Sequence, residues 1–236
     1  MMHVVALSGG KDSTALALRL REVEPRDYVY LCTPTGDELP EMVAHWARLE
    51  ALLGQPIRRV TSGTLASWIE HFQALPSWRM RWCTRLLKIE PTIAFLTAHA
   101  PVTHYVGLRA DEATREGIYG DHAAVTRYPL REWGWGLREV RAYLRERGVM
   151  IPARTDCARC YGQRLDEWRA LRQQHPAIYA DAERQEASVG ATFRSPGRDA
   201  WPTALAALGA RFDREATQLP LIDLEPEERA CRVCSL

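Results

Sequence analysis

SGGKDST, comprising Ser8, Gly9, Gly10, Lys11, Asp12, Ser13 and Thr14, is the stretch that decides the fold. A short β-branched and apolar run, residues 3–7, leads into it, and residues 12–22 leave it with helical spacing through Leu16, Leu18 and Leu20. Strand, tight glycine loop and helix in that order gather several backbone N–H groups and the positive end of a helix dipole at one point, which is an anion site. Gly9 and Gly10 let the backbone approach phosphate oxygens that a side chain would hold off. Lys11 adds a point charge, Asp12 can hold Mg²⁺ through water, and Ser13 and Thr14 can donate hydrogen bonds or cap the helix. The alternative is an ordinary glycine turn before a capped helix. The loop ends the first strand, at the carboxyl edge where open α/β sheets bind ligands, and that favours the phosphate reading.

Working outward, a second strand is expected at residues 28–32, stopping at Thr33-Pro34-Thr35-Gly36-Asp37, with a helix at 40–53. Further strands are expected at 56–61 and 105–108, and further helices at 64–75, 83–99 and 137–147, the last followed by Gly148 in a C-cap position. Strands alternating with helices predict a parallel sheet, and 236 residues with 46% hydrophobic content suffice for one principal Rossmann-like α/β domain. After Pro152 the pattern changes to a cysteine-bearing loop, TDCARCYGQR (155–164), then helices at 165–174 and 176–189. The expected organisation is a nucleotide-binding α/β domain over 1–150 and a helical, cysteine-bearing extension over 151–236 packed on it. Residues 220–236 read as a tail that must dock to be ordered.

Lys plus Arg number 31 against 30 Asp plus Glu, so the net charge of +1 gives no global argument for nucleic acid or a membrane surface. Any such partner is read by a local patch. Arg79, Arg81, Arg85 and Lys88, interleaved with Trp78 and Trp82, form one, suited to nucleotide phosphates or a nucleic-acid strand, or else to a solvated basic face over core tryptophans. No stretch approaches the roughly 18 apolar residues of a membrane span, so a cytoplasmic location without membrane partners is expected. There the six cysteines stay reduced, and metal or redox chemistry is the better reading than a disulfide framework. Cys157 and Cys160 form a CxxC pair, Cys231 and Cys234 a second, and Cys83 stands apart from both; this set suits an iron–sulfur cluster or a tetrahedral zinc ion. Cys32, inside an apolar strand, reads as a buried small hydrophobe. Asp37 and Glu38, at a strand end, suit metal or ribose, or an inert solvated turn. Arg109 and Arg115 flank Asp111 and Glu112 in a loop after a strand, where guanidinium forks suit phosphate or sulfate, or else a surface ion-pair network.

The full string SGGKDS resembles the signature of the PP-loop ATP pyrophosphatase superfamily and differs from the Walker A pattern. Four more segments are similar to its phosphoadenosine phosphosulfate (PAPS) reductase branch: TGDELPE (35–41), RWCTRLLKIEP (81–91), GLRADEATR (107–115) and YPLREWGWGLREV (128–140). The resemblance implies a HUP-type parallel sheet and an ATP whose β-γ pyrophosphate the loop cradles, with Mg²⁺, adenylation of a substrate and release of pyrophosphate. It implies nucleotide contacts from Ser8 through Thr14, from Asp37 and from Gly107, and catalytic roles for Lys11, Asp12, Arg109 and Arg115. It also implies a [4Fe-4S] cluster on Cys83, Cys157 and Cys160 with a fourth ligand from Cys231 or Cys234. Cluster-binding members carry two adjacent cysteines at the first position, whereas this chain has Trp82-Cys83. Retention of the whole loop favours ATP as substrate, with sulfur transfer to a nucleic acid or small molecule as the downstream chemistry. Two alternatives stay open: a sulfonucleotide reductase using a C-terminal cysteine, and a non-catalytic nucleotide-binding subunit of a nucleic-acid modification or defence system.

Overall fold

The computed structural model describes residues 1–112, 114–115 and 124–216. Five parallel strands form one sheet in the order β3-β2-β1-β4-β5: β1 Met2–Ala6, β2 Tyr28–Cys32, β3 Arg58–Arg59, β4 Val102–Tyr105 and β5 Ala124–Arg127. Helices α1 Lys11–Val23, α2 Pro40–Leu53 and α3 Leu65–Phe72 follow the first three strands in turn. The chain then crosses to β4 through α4 Trp82–Thr84, a π-helical turn Arg85–Ile89 and α5 Glu90–Ala98. After β5 come α6 Pro129–Glu132, α7 Leu137–Glu146, α8 Leu165–Gln174, α9 Pro176–Val189 and α10 Leu205–Ala216. This is the expected α/β, Rossmann-like architecture, and its strand order reverses at β1, which lies between β2 and β4. A ligand crevice opens where connections from neighbouring strands leave in opposite directions.

The core explains the registers. β1 is buried on both faces through Val4 and Val5, as a central parallel strand must be, and α1 and α2 cover one face through Leu16, Leu20, Met42, Trp46 and Leu49. A fully buried side chain of this kind contributes about 1.5–3 kcal/mol. A second core joins Leu39, Leu65, Ile69 and Leu87 to Ala158, Trp168, Leu171, Tyr179 and Phe193, so the C-terminal helices share apolar packing with the sheet's carboxyl edge.

Several elements depart from the sequence reading. The fourth strand lies upstream of residues 105–108, because β4 is interior and carries Thr103 and His104 into the buried sheet; residues 106–109 belong to the loop beyond. The single helix expected over 83–99 is divided. Pro91 has no N–H to give the Leu87 carbonyl, and the chain widens into the π turn just before it. β5 and α10 were not read from sequence: β5 is four partly exposed residues without a clear alternation, whereas α10 carries helical spacing through Leu205, Leu208 and Phe212 interrupted by Gly209, where a Cβ would stand 2.5 Å from Arg172 Nη1. The tail over 220–236, with Cys231 and Cys234, lies outside the described residues.

Candidate functional site

The phosphate loop is shaped from within and from α2. Gly9 adopts φ +88°, and a Cβ there would fall 2.3 Å from Met42 Cε and 2.8 Å from Trp46 Nε1. Trp46 Nε1 donates to the Ser8 carbonyl at 2.8 Å, and His45 Nε2 donates to the Gly9 carbonyl at 3.1 Å. Burial holds the His45 imidazole below its ordinary pKa, which keeps it neutral in that role. Ser13 Oγ accepts from the Gly9 N–H at 3.2 Å, donates to the Gly10 carbonyl at 3.1 Å and lies 3.1 Å from Ser8 Oγ. Ser13 thus closes the loop, and Thr14, fully buried, faces the core. Gly10 is the N-cap of α1 and has no side chain to cap it. Helix geometry leaves the N–H groups of Lys11, Asp12 and Ser13 without intrahelical acceptors, and the first helical bond runs from Thr14 N–H to the Gly10 carbonyl.

The loop after β4 meets this loop at the switch point. Gly107 is so close to α1 that a Cβ there would stand 3.2 Å from both the Asp12 carbonyl carbon and Ser13 N. Arg109, 6% exposed, donates from Nη1 to Asp12 Oδ2 at 2.9 Å and from Nε to Asp111 Oδ1 at 2.8 Å, and its Nη2 lies 3.5 Å from Glu112 Oε1. Arg115 Nη1 donates to the same Glu112 oxygen at 2.6 Å. Asp111 also accepts from Leu137 N–H at 2.9 Å and so caps α7. Of the two sequence readings for Arg109, the ion-pair network is therefore realised, but it is buried and anchored on the phosphate loop. Lys11 Nζ lies 3.7 Å from Asp12 Oδ2. Burial raises the Asp12 carboxyl above its usual range against the pull of Lys11 and Arg109, and its other oxygen, Oδ1, is buried without a hydrogen-bond partner.

Asp37, expected at the nucleotide, is engaged with the cysteine loop. It is buried, accepts from Arg159 N–H at 2.8 Å and from Arg159 Nε at 2.5 Å, and its backbone carbonyl accepts from Ala158 N–H at 2.6 Å. Its carboxylate therefore holds the cysteine loop. Burial pushes that carboxyl up, and the Arg159 guanidinium opposes the shift. Glu38 folds back on Thr35, accepting from its N–H at 2.6 Å and its hydroxyl at 2.7 Å. Thr35 Oγ1 in turn lies 3.3 Å from Cys157 Sγ. At the other end of the cysteine loop, Thr155 Oγ1 stands 3.6 Å from where a Gly10 Cβ would be. The phosphate loop and the CxxC loop are thus adjacent.

Cys83, Cys157 and Cys160 wall one cavity of about 20 Å³ with Thr35, Lys88 and Tyr161. All three are free thiols. Cys83, in α4, lines the same wall as Leu87 and Lys88 from the π turn that follows it. Burial pushes the Cys157 thiol up to about 12, and raises Cys83 and Cys160 as well, while Lys88 draws all three the other way. Among the described residues, no three His, Cys, Asp or Glu side chains are close enough to share a single ion. The donor set itself fits a thiolate-bound metal group: three thiols free of disulfides, from two segments, face one apolar-walled space with a cation beside it. Admitting a cluster requires their side chains to draw apart, since the cavity has room for about one water. Cys32 is buried in β2, as expected of a small hydrophobe.

His45, Trp46, Thr155 and Arg159 belong to this arrangement and were missed from sequence, whereas Lys88, read there as part of a basic cluster, lines the cysteine cavity. The one signal available was a histidine within the buried stripe of α2, Met42, His45, Trp46 and Leu49.

Residues 2–153 match the family model described as the phosphoadenosine phosphosulfate reductase domain. An uncharacterized protein of Methanocaldococcus jannaschii is 24% identical over 193 residues, covering 75% of this chain; the chain spans 39% of that protein's length. Among solved structures, the chain is similar to a PAPS reductase from Candida auris in its phosphate complex, at TM-score 0.52 and 16% identity over 64% of this chain and 75% of that one. It is also similar to the U34-tRNA thiolase NcsA from Methanococcus maripaludis with its [4Fe-4S] cluster, at TM-score 0.53 and 14% identity over 100% of this chain and 80% of that one. Both likenesses are of fold. No described helix is long and apolar enough to cross a membrane.

Proposed function

The chain belongs to the phosphoadenosine phosphosulfate reductase domain family, and from that premise we propose that it is an enzyme that binds ATP on the SGGKDST loop and transfers the adenylyl group to an acceptor oxygen. The observation that carries this reading is the state of Asp12. One carboxylate oxygen is fixed by Arg109 at 2.9 Å and lies 3.7 Å from Lys11 Nζ, and the other is buried without a hydrogen-bond partner on the first turn of α1. An orphaned carboxylate oxygen next to an anion site suits a divalent cation carried by a polyphosphate. Bound there, Mg²⁺ would supply neutralisation of phosphate charge.

In this reading the N–H groups of Lys11, Asp12 and Ser13, with Lys11 Nζ, hold the β- and γ-phosphates. An acceptor oxygen attacks the α-phosphorus, the bond from that phosphorus to the α-β bridging oxygen breaks, and pyrophosphate leaves with the electron pair while the loop retains it. Catalysis is chiefly positioning and charge neutralisation. Arg109 is a positioning residue that fixes Asp12, and Arg115 acts at the rim through Glu112.

The three thiols beside the loop are proposed to hold a [4Fe-4S] cluster, with zinc as the alternative; the cluster would supply sulfur chemistry next to the activated substrate. The proposed organisation remains 1–150 for the nucleotide and 151–236 for the cysteine-bearing extension, and the likeness over the whole chain to a cluster-bearing thiolase fold supports considering the two together.

Equilibrium binding of ATP, with and without Mg²⁺, against adenylyl sulfate tests the reading. Mg²⁺-dependent ATP binding that drops at least about tenfold in Lys11→Ala and Asp12→Asn supports it. Tight adenylyl sulfate binding with no ATP binding overturns it in favour of a sulfonucleotide reductase.

A further inference from the structure

Between Glu70 and Glu90 the chain carries no carboxylate, but it carries Arg79, Arg81, Arg85 and Lys88. The structure gathers exposed aromatic and apolar surface onto the same segment. Trp78 and Arg79 occupy the tip of a tight turn closed by two backbone hydrogen bonds, Ser77 N–H to the Met80 carbonyl at 3.1 Å and Met80 N–H to the Ser77 carbonyl at 3.2 Å. Trp78 is 44% exposed, Met80 52% and Phe72 41%.

These side chains adjoin the cysteine cavity. The Trp78 ring packs edge-on against Tyr161, centroids 5.2 Å apart, and Tyr161 lines the cavity next to Cys160. Phe72 stacks on Trp68 and touches Trp82, the neighbour of Cys83. The exposed ridge therefore runs up to the thiols from two sides. Arg79 and Arg85 are exposed along it, Arg85 in a solvent-facing pair with Glu90.

We propose that residues 72–85 form a docking surface for single-stranded nucleic acid, with an unpaired base stacked on Trp78 at the mouth of the cysteine cavity and backbone phosphates against Arg79 and Arg85. Charge complementarity selects the occupant. A segment with cations and no carboxylate suits a polyanion, and exposed rings interleaved with arginines suit the alternation of base faces and phosphates along an unpaired strand. A duplex keeps its base faces stacked and offers Trp78 nothing to pair with. That the docked strand carries the acceptor oxygen rests on the adenylation reading; the binding itself does not.

Fluorescence anisotropy tests this, with labelled oligo(U) and oligo(dT) of about 15 nucleotides and a duplex of equal length, added to the full chain at about 50 mM salt. Binding of either single strand over the duplex is expected, RNA or DNA preference identifying the source, with log affinity falling against log salt at a slope of about −1.4, about −0.7 for each of two phosphate contacts. Trp78→Ala should weaken binding about tenfold, Trp78→Phe should restore most of it, and Arg79→Glu should weaken it while flattening the salt slope. ATP binding, measured on the same preparations, should be unchanged in all three. Absence of single-strand binding by the unaltered chain, or equal binding by Trp78→Ala and Arg79→Glu, overturns the proposal. Strand binding without ATP binding leaves the docking surface standing and removes the adenylation reading instead.

Discussion

The Arg109 guanidinium donates to the Asp12 carboxylate at 2.9 Å across 97 residues of chain. The contact exists because β1 and β4 are neighbours in register, Val5 opposite Tyr105, so the loops leaving their carboxyl ends emerge side by side. Three carboxylates lean on this one buried guanidinium. Arg109→Ala is expected to lower stability by about 3–5 kcal/mol, the penalty for stripping a buried charge network of its partner, and to abolish ATP binding. Urea unfolding and nucleotide titration measure both. Arg109→Lys, which retains charge without the fork, should recover part of the stability and little of the binding.

Gly9→Ala isolates the loop's shape from its charge. The substitution puts a Cβ into space held by Met42 and Trp46 at a backbone angle of φ +88°. A loss of about 1–3 kcal/mol is expected, with ATP affinity reduced at least about tenfold. Wild-type affinity in this variant would show that the loop does not need its observed path.

Asp37 and Asp12 should respond differently to the same chemical change. Asp37→Asn weakens the buried pair with Arg159, so it should cost about 3 kcal/mol or more and loosen the cysteine loop. Asp12→Asn should cost little stability and lose Mg²⁺-dependent nucleotide binding. Parallel denaturation and ATP titrations separate the two, and equal losses of ATP affinity would return Asp37 to the nucleotide site.

Anaerobic purification with iron, zinc and sulfide analysis tests the thiols. About four irons and four sulfides per chain are expected, lost in Cys157→Ala and in Cys83→Ala. One zinc without sulfide would make the cysteines structural and leave the nucleotide proposal untouched.

His104 sets an acid limit. Complete burial in β4 lowers its pKa from 6.5 to about 4, so the unfolded chain takes up a proton in the range where the folded chain does not. Stability is therefore fully present above about pH 6.5 and falls as the pH drops toward 4, by about 3 kcal/mol in total. Urea midpoints measured across that range should slope with pH in the natural chain and be flatter in His104→Gln.

The sequence by itself determined the local pieces of this protein. β2, α2, α8 and α9 lie where periodicity and punctuation placed them, because apolar spacing, Pro40 and Pro176 at helix starts, and Gly54 and Gly190 at helix ends act within a few residues. The SGGKDST loop was legible as a strand-to-helix turn for the same reason, since its glycines, lysine and helix N-terminus are consecutive. Only the tertiary structure decided what those pieces face. It brought Arg109 onto Asp12 through strand order, paired Asp37 with Arg159, and set His45 and Trp46 against the loop carbonyls. It also brought Cys83, from the crossover to β4, to one cavity with Cys157 and Cys160. Each of these depends on which strands are neighbours and on where buried polar groups find partners, and those conditions are met across tens of residues of chain, where spacing carries no signal.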